Sequence, residues 1–433
     1  MLRYCIVVFF SGLLLLPTNS VAQADNQFPL LDSLKSILDQ NQQVKGSYCI
    51  YKSGKVVAEG SFGYESGDYT YRIGSISKTF TAALILKAVE EGKIKLSDPI
   101  DKWFPKIPNA KSISIEMLLN HRSGIHNFTN DASYPQIMET EQSRTDMLGR
   151  FASMEADFKP GSDFNYSNTN YVLASYILET IYGQSMQALL EKHISKPAKL
   201  KNTYFFLEDK KDEREVDSYY WSGSWNKMPR THPSIPMGAG AIASKPEDLC
   251  RFMRSLHQGD IIKSSSIGKM KGDSDYGLGL MQFPFYSKVA YGHNGGIDGF
   301  QSHASYFPEE DLAIALCLNG AQYPMNDLLV DLLSIYFERE DYQLPEFKQV
   351  DLAVEELEQY IGTYRSANFP MDIEVFLEGT QLKAKATGQG SFPLSALGEH
   401  KFEFKAAGIS MLFEPENNVM LFEQGGMKVK FER

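Results

Sequence analysis

Three short stretches of this 433-residue chain carry side chains suited by type and spacing to nucleophilic chemistry: Ser75-Ile76-Ser77-Lys78, Tyr166-Ser167-Asn168 and His293-Asn294-Gly295-Gly296. In the first, the lysine follows the serine by close to one helical turn, which brings an amine against a hydroxyl. At a helix N-terminus that serine has unsatisfied backbone N–H groups and the positive end of the helix dipole beside it. Both favour developing negative charge and a lowered lysine pKa. In the second stretch a phenol points outward at a helix entry, and Asn168 can hydrogen-bond substrate or lysine, although Asn165, Ser167 and Asn168 are also ordinary capping residues. The third lies between two strand-like runs. Its glycines let an acyl group approach the backbone closely, although Asn-Gly is equally a hairpin signal.

The tetrad is weak evidence alone, because Ser266-x-x-Lys269 repeats it in a polar, glycine-containing stretch that reads as surface loop. Context separates the two. Around Ser75, residues 75–91 place Phe80, Ala83, Leu84 and Ala88 at helical intervals and stop at Gly92. A helix is expected over 168–181, ending at Gly183. Another starts at Ser244, with a capping box to Glu247, an apolar face of Leu249, Phe252, Met253 and Leu256, and an end at Gly259. His257-Gln258-Gly259 is then only that helix's end.

Strand patterns occupy 46–63 as a hairpin, then 277–283, 289–292, 300–307 and 312–318, with a helix over 325–337. Strands at both ends of a helical middle predict an α+β domain whose antiparallel sheet is completed from both ends of the segment. After a linker at 342–350, period-two alternation (Ile373, Val375, Leu377; Phe402, Phe404; Met427, Val429, Phe431) predicts a small C-terminal antiparallel β domain at 351–433, read as a packing or lid module.

Residues 1–24 read as a secretory signal: Arg3, an apolar run from Cys5 to Leu16, Pro17, and the small-residue site Ala22-Gln23-Ala24. The mature chain is expected to begin at Asp25, with the hydrolase-like domain at 25–341, and to be periplasmic or secreted, without a membrane span. A formal charge of −11 and no basic cluster argue against nucleic acid as a partner. Cys49, Cys250 and Cys317 are too few and odd in number for a disulfide framework; Cys49 and Cys317, both in strand-like runs, could be neighbours but read as free buried thiols. No His-Glu-x-x-His or paired Cys-x-x-Cys occurs, so neither metal nor cofactor is expected.

In this order and context the three stretches resemble the penicillin-recognising serine hydrolases, specifically the class C β-lactamase-like family. YRIGSISKTFTAALI, LLNHRSGI, FNYSNTNYVLASYILE and GAGAIASKPEDLCRFM extend the likeness over roughly 48–319; the serine and lysine motif of this group is a known pattern. The resemblance implies an acyl-enzyme on Ser75, base and acid work shared by Lys78 and Tyr166, and an oxyanion hole from the N–H groups of Ser75 and Gly296. Asn168, His293 and Gly295 would contact substrate. Where β-lactamases usually carry a lysine at the head of the third motif, this chain has His293, a poorer anchor for a carboxylate. That leans toward D-aminopeptidase, D,D-carboxypeptidase or esterase-like relatives acting on a small molecule or short peptide. A penicillin-binding or sensing protein with little turnover, or a β-lactamase, is the alternative. Residues 209–233, with Trp221 and Trp225, either wall the pocket or pack on the body, and His121 and His126 read as structural.

Overall fold

The computed structural model describes residues 28–64, 67–206, 214–272, 276–347, 352–367, 369–398, 400–404, 407–424 and 427–433. The expected signal at 1–24 lies outside these residues, as do 348–350 of the expected linker and 209–213 of the tryptophan loop.

One antiparallel sheet of six strands organises the body, in the order Lys55–Phe62, Val44–Lys52, Leu312–Ala321, Phe300–Phe307, Lys288–Ile297, Met281–Phe285. It is closed from both ends of the segment: Val44–Lys52 pairs with Leu312–Ala321, Cys49 lying opposite Ala315. The central strand explains the layering. In LAIALCLNGA the odd-numbered Ala313, Ala315 and Cys317 face one core, and the even-numbered Leu312, Ile314, Leu316 and Leu318 face another. Alternation of two sets of apolar residues, small and large, lets both faces be covered. On the small-residue face lies the helix Pro246–Gln258, through Leu249, Phe252, Met253 and Leu256. On the large-residue face lie Pro29–Gln40 and Met325–Tyr336, through Leu31, Leu34, Leu38, Leu328 and Leu332. Each such fully buried leucine contributes about 2 kcal/mol from area alone.

The helix Ser77–Glu90 runs through the larger core and is buried on nearly every side. A helix in that position must satisfy its polar side chains internally. Thr79 Oγ1 donates to Gly279 O and Thr81 Oγ1 to Gly238 O, both at 2.8 Å, while Ser77 Oγ accepts from Ile242 N at 3.2 Å. These bonds fix its rotation and depth.

Several elements differ from the sequence expectation. The helix Pro29–Gln40 is additional. Ser244 caps nothing: it lies in the strand Ile242–Ser244, its hydroxyl is bonded to Thr203 Oγ1 at 2.8 Å, and the helix begins with Pro246 after Lys245. Its end at Gly259 (φ +88°) is as read. Ser266 and Lys269 sit in the helix Ser264–Lys271 rather than a loop, and Ser266 Oγ donates to Glu90 Oε1 at 2.7 Å. His293-Asn294-Gly295-Gly296 lies inside the strand Lys288–Ile297, fully paired with Phe300–Phe307, and the turn falls at Asp298-Gly299.

Residues 352–433 hold two antiparallel sheets, of four and five strands, around their own core of Tyr360, Val375, Phe402, Met411, Phe413, Phe422 and Phe431. Among the described residues no helix is long and apolar enough to cross a membrane.

Candidate active site

Ser75 sits in a single 3₁₀ turn, Gly74–Ile76, that leads into the helix Ser77–Glu90. That turn lies directly on the edge of the motif strand. Gly74 has φ +49°, and a Cβ there would come within 2.7 Å of Gly296 N; a Cβ on Gly295 would come within 2.0 Å of Ile73 O. Only glycines permit this backbone-to-backbone approach. Ser302 Oγ, opposite Gly295 in the sheet, donates to Ile73 O at 2.8 Å and closes the contact. Gly296 differs: a Cβ there would meet nothing nearer than Phe300 O at 3.9 Å, so its outer side is open.

An arginine ties down both partners of that contact. Buried Arg72 bonds Asp298, in the turn that follows the motif strand, at 2.9 Å. It also bonds Glu215 at 3.3 Å and Thr231 O at 2.8 Å, with Phe206 under its guanidinium at 3.8 Å. A buried arginine needs such a full set of partners, since losing one leaves an uncompensated charge.

Lys78 is wholly buried, its Nζ 2.9 Å from Ser75 Oγ, 2.8 Å from Asn168 Oδ1 and 2.9 Å from Ala239 O. Burial pushes its pKa well below the usual lysine range, a larger influence than the helix end anticipated from the sequence. The amide oxygen and the carbonyl can only accept, so they take two N–H bonds; the third direction points at the serine hydroxyl. In the neutral amine that direction holds the lone pair.

Tyr166 lies over the same spot. Lys78 Nζ is 4.8 Å from the centre of its ring. Burial raises the phenol pKa, and the Ser75 side chain beside it acts in the opposite direction. Tyrosine is driven up and lysine down, so the pair is stable as phenol plus amine.

Asn168 opens the helix Asn168–Tyr182. Its Oδ1 takes Lys78, its Nδ2 donates to Thr129 Oγ1 at 3.0 Å, and its backbone N–H donates to Asn127 Oδ1 at 2.9 Å. The helix is therefore capped from a distant loop, by a residue the sequence reading did not single out, and Asn168 orients the lysine. His293, expected to face substrate, is buried with both ring nitrogens engaged, Nδ1 with Asn294 O at 2.5 Å and Nε2 with Tyr276 Oη at 3.1 Å. Burial and the nearby Lys78 push it down to about 3, so it supplies no positive charge. Tyr276 is a second residue that the sequence reading missed.

The remaining candidates are structural. His126 pairs with Asp157 at 2.7 Å and Asp131 at 3.3 Å on the loop side of Tyr166. Trp221 and Trp225 form a hairpin with rings 5.1 Å apart, Trp225 lying against Gly320 at the sheet end, which is the packing alternative. Among the described residues no group of three or more His, Cys, Asp or Glu could hold a metal ion.

A family model described as Beta-lactamase matches residues 32–333. The chain belongs to the Beta-lactamase family. Known members similar to it include hydrolases. The teichoic acid D-alanine hydrolase of Staphylococcus aureus (strain MRSA252) is 24% identical over 302 residues, 65% of this chain and 72% of that protein. The D-amino acid amidase of Ochrobactrum anthropi SV3, in complex with L-phenylalanine amide, superposes with a TM-score of 0.63 at 25% identity, covering 71% of this chain and 99% of its own. An octameric penicillin-binding protein homologue from Pyrococcus abyssi gives 0.65 at 25% identity over 93% of this chain and all of its own, so that likeness extends into the C-terminal sheets. Family and fold are thus those implied by the three motifs, and the chain is a hydrolase-type member of the β-lactamase and penicillin-binding-protein superfamily.

Proposed function

We propose that the protein is an exported serine hydrolase that cleaves a small ester or amide, a D-amino-acid derivative in particular, through an acyl-enzyme on Ser75. The observation that carries this reading is the Lys78 amine 2.9 Å from Ser75 Oγ with its other two directions committed to pure acceptors. Lys78 then takes the Ser75 proton as the oxygen attacks the carbonyl carbon. The backbone N–H groups of Ser75 and Gly296, across the Gly74 contact, receive the oxyanion. Tyr166, kept protonated, gives its proton to the departing amine or alcohol, and Lys78 returns one to the phenolate. In the second half water attacks the acyl carbon, loses its proton to the Lys78–Tyr166 pair, and Ser75 leaves with a proton restored.

The substrate class rests on charge and likeness. A neutral His293 offers nothing to a free carboxylate beside the scissile bond, which disfavours β-lactam and D,D-peptide acids relative to esters and amides lacking that group. The named relatives, a D-alanine hydrolase and a D-amino acid amidase, agree with that direction. Intact-mass spectrometry after exposure to a fluorophosphonate, to penicillin and to D-alanine esters tests it. One adduct, lost in Ser75→Ala, with rapid turnover of the D-alanine ester, is expected. A stable penicillin adduct without ester turnover would instead make the protein a penicillin binder, and labelling that survives Ser75→Ala would remove the nucleophile.

A further inference from the structure

Tyr166 is gripped on three sides by one residue. The amide of Asn165 donates to His121 O at 3.1 Å and that of Ser167 to His121 Nδ1 at 3.1 Å, while the imidazole lies 4.2 Å from the phenol ring, centre to centre. His121 has φ +58°, a conformation uncommon outside glycine and tolerated by histidine, and it is fully buried. Strain of this kind persists where the surroundings fix it.

From His121 a chain of short contacts leads back to the motif strand. His121 Nε2 is 3.1 Å from Tyr276 Oη, and Tyr276 Oη is 3.1 Å from His293 Nε2. Backbone groups set the protons at both ends. His121 Nδ1 faces the Ser167 N–H and, at 3.3 Å, the amide of Asn170, whose Oδ1 is taken by Ser123; two donors demand a bare nitrogen there. The proton of the neutral ring is then on Nε2 and goes to Tyr276 Oη. At the far end Asn294 O can only accept, so His293 carries its proton on Nδ1 and leaves Nε2 to receive the Tyr276 proton. Every link runs in one direction. Tyr171 is the competing acceptor for that proton, its own hydroxyl donating to Leu119 O at 2.7 Å.

We propose that His121, Tyr276 and His293 form a one-way hydrogen-bonded chain that holds Tyr166 over Ser75, with His121 as its clamp, and that all three are positioning residues for the acyl-transfer step. This rests on the reading of Tyr166 as the proton donor. Protonating His121 would set its Nδ1 proton against the Ser167 N–H, and protonating His293 would remove the acceptor of the Tyr276 proton and reverse that link. Burial is the main cause that keeps both rings neutral, and any charge on Lys78 acts in the same direction; burial and the phenols of Tyr166 and Tyr171 keep Tyr276 itself protonated. The chain also joins the Tyr166 entry to the strand beside Ser75, so phenol and glycine edge share one framework.

Imidazole nitrogen NMR of the histidine-labelled full chain reads the proposal directly. The expected result is His121 with its proton on Nε2 and His293 with its proton on Nδ1, both unchanged from about pH 5 to 8. Tyr276→Phe, assayed well below its melting temperature, should lose about tenfold to a hundredfold in kcat with little change in KM, because misplacing a group used in the transition state does not weaken ground-state binding. His121→Asn, which keeps an acceptor for Ser167 and tolerates the left-handed conformation, should retain more kcat than His121→Ala. The opposite tautomer at either histidine, wild-type kcat in Tyr276→Phe, or equal loss in the two His121 variants would overturn the proposal. Failure of a fluorophosphonate to label Ser75 in the unsubstituted protein would instead refute the acyl-enzyme reading, and leaves the NMR result to stand by itself.

Discussion

Lys78→Ala should lower kcat/KM for a small ester about a thousandfold, and Lys78→Arg should recover none of it. General-base catalysis of this kind contributes about a hundredfold to ten-thousandfold. Arginine keeps a cation near the serine but cannot give up its proton, so it separates a base from a mere positive charge. The buried lysine has its pKa pushed well down. The active form is the amine, and the rate of the unsubstituted enzyme should rise with pH through that lowered pKa and then level off. Alanine leaves Asn168 Oδ1 and Ala239 O without their donor, a cost of about 1–3 kcal/mol per buried group. Melting curves recorded beside the kinetics keep loss of fold apart from loss of chemistry. A Lys78→Arg enzyme with near-normal kcat would show that the amine is not the proton acceptor.

Adjacent glycines should respond in opposite ways. In Gly295→Ala the new methyl would lie 2.0 Å from Ile73 O and 2.4 Å from Ser302 Oγ, inside any real contact distance. The turn carrying Ser75 and the motif strand must separate, which should cost about 1–3 kcal/mol of stability as overpacking. Displacing the nucleophile from the oxyanion donors should cost about a hundredfold in rate. Gly296→Ala adds a methyl with 3.9 Å of clearance, so the melting temperature should hold while KM rises, the methyl standing on the open side. If Gly295→Ala proves as stable and active as the parent, the apposition of turn and strand is not what sets the site.

Much of this fold is legible in the chain because parity and period are local. The strand Phe300–Phe307 and the helix Met325–Tyr336 follow directly from alternation and helical spacing. The first helix, Pro29–Gln40, displays Leu31, Leu34 and Leu38 at helical spacing, a signal present in the sequence that the reading passed over. Other features depend on partners far away. Nothing near Ser244 announces that Thr203 will take its hydroxyl, and Asn-Gly reads as a turn until both flanking strands are seen to pair through it. Ser266-x-x-Lys269 shows the same dependence in reverse: it is helical, like the Ser75 tetrad, but its hydroxyl is given to a glutamate.

At the site, Ser75, Lys78, Tyr166 and Asn168 were indicated by motif, and the structure brings their side chains together. His121 is harder to read, because its grip on Tyr166 comes from a left-handed backbone that no composition rule flags. Tyr276 looks like the first residue of a strand segment, and only the distances to two imidazoles give it a part. His293 departs from expectation because its ring turns into the protein, toward Tyr276 and its neighbour's carbonyl.

The cysteines give this protein an intrinsic reporter. Cys49, Cys250 and Cys317 are free and buried where the sheet meets the helix Pro246–Gln258, with Cys250 Sγ 3.4 Å from Cys49 O, and residues 352–433 contain no cysteine. With a chain begun at Asp25, which lacks Cys5, a chromogenic disulfide reagent should therefore stay colourless with the native body and develop colour only as that layer opens, whatever the C-terminal sheets are doing. Followed in rising urea beside far-ultraviolet dichroism, the colour should trace the melting of the catalytic half alone; rapid reaction in plain buffer would mean that this layer opens readily in the native protein.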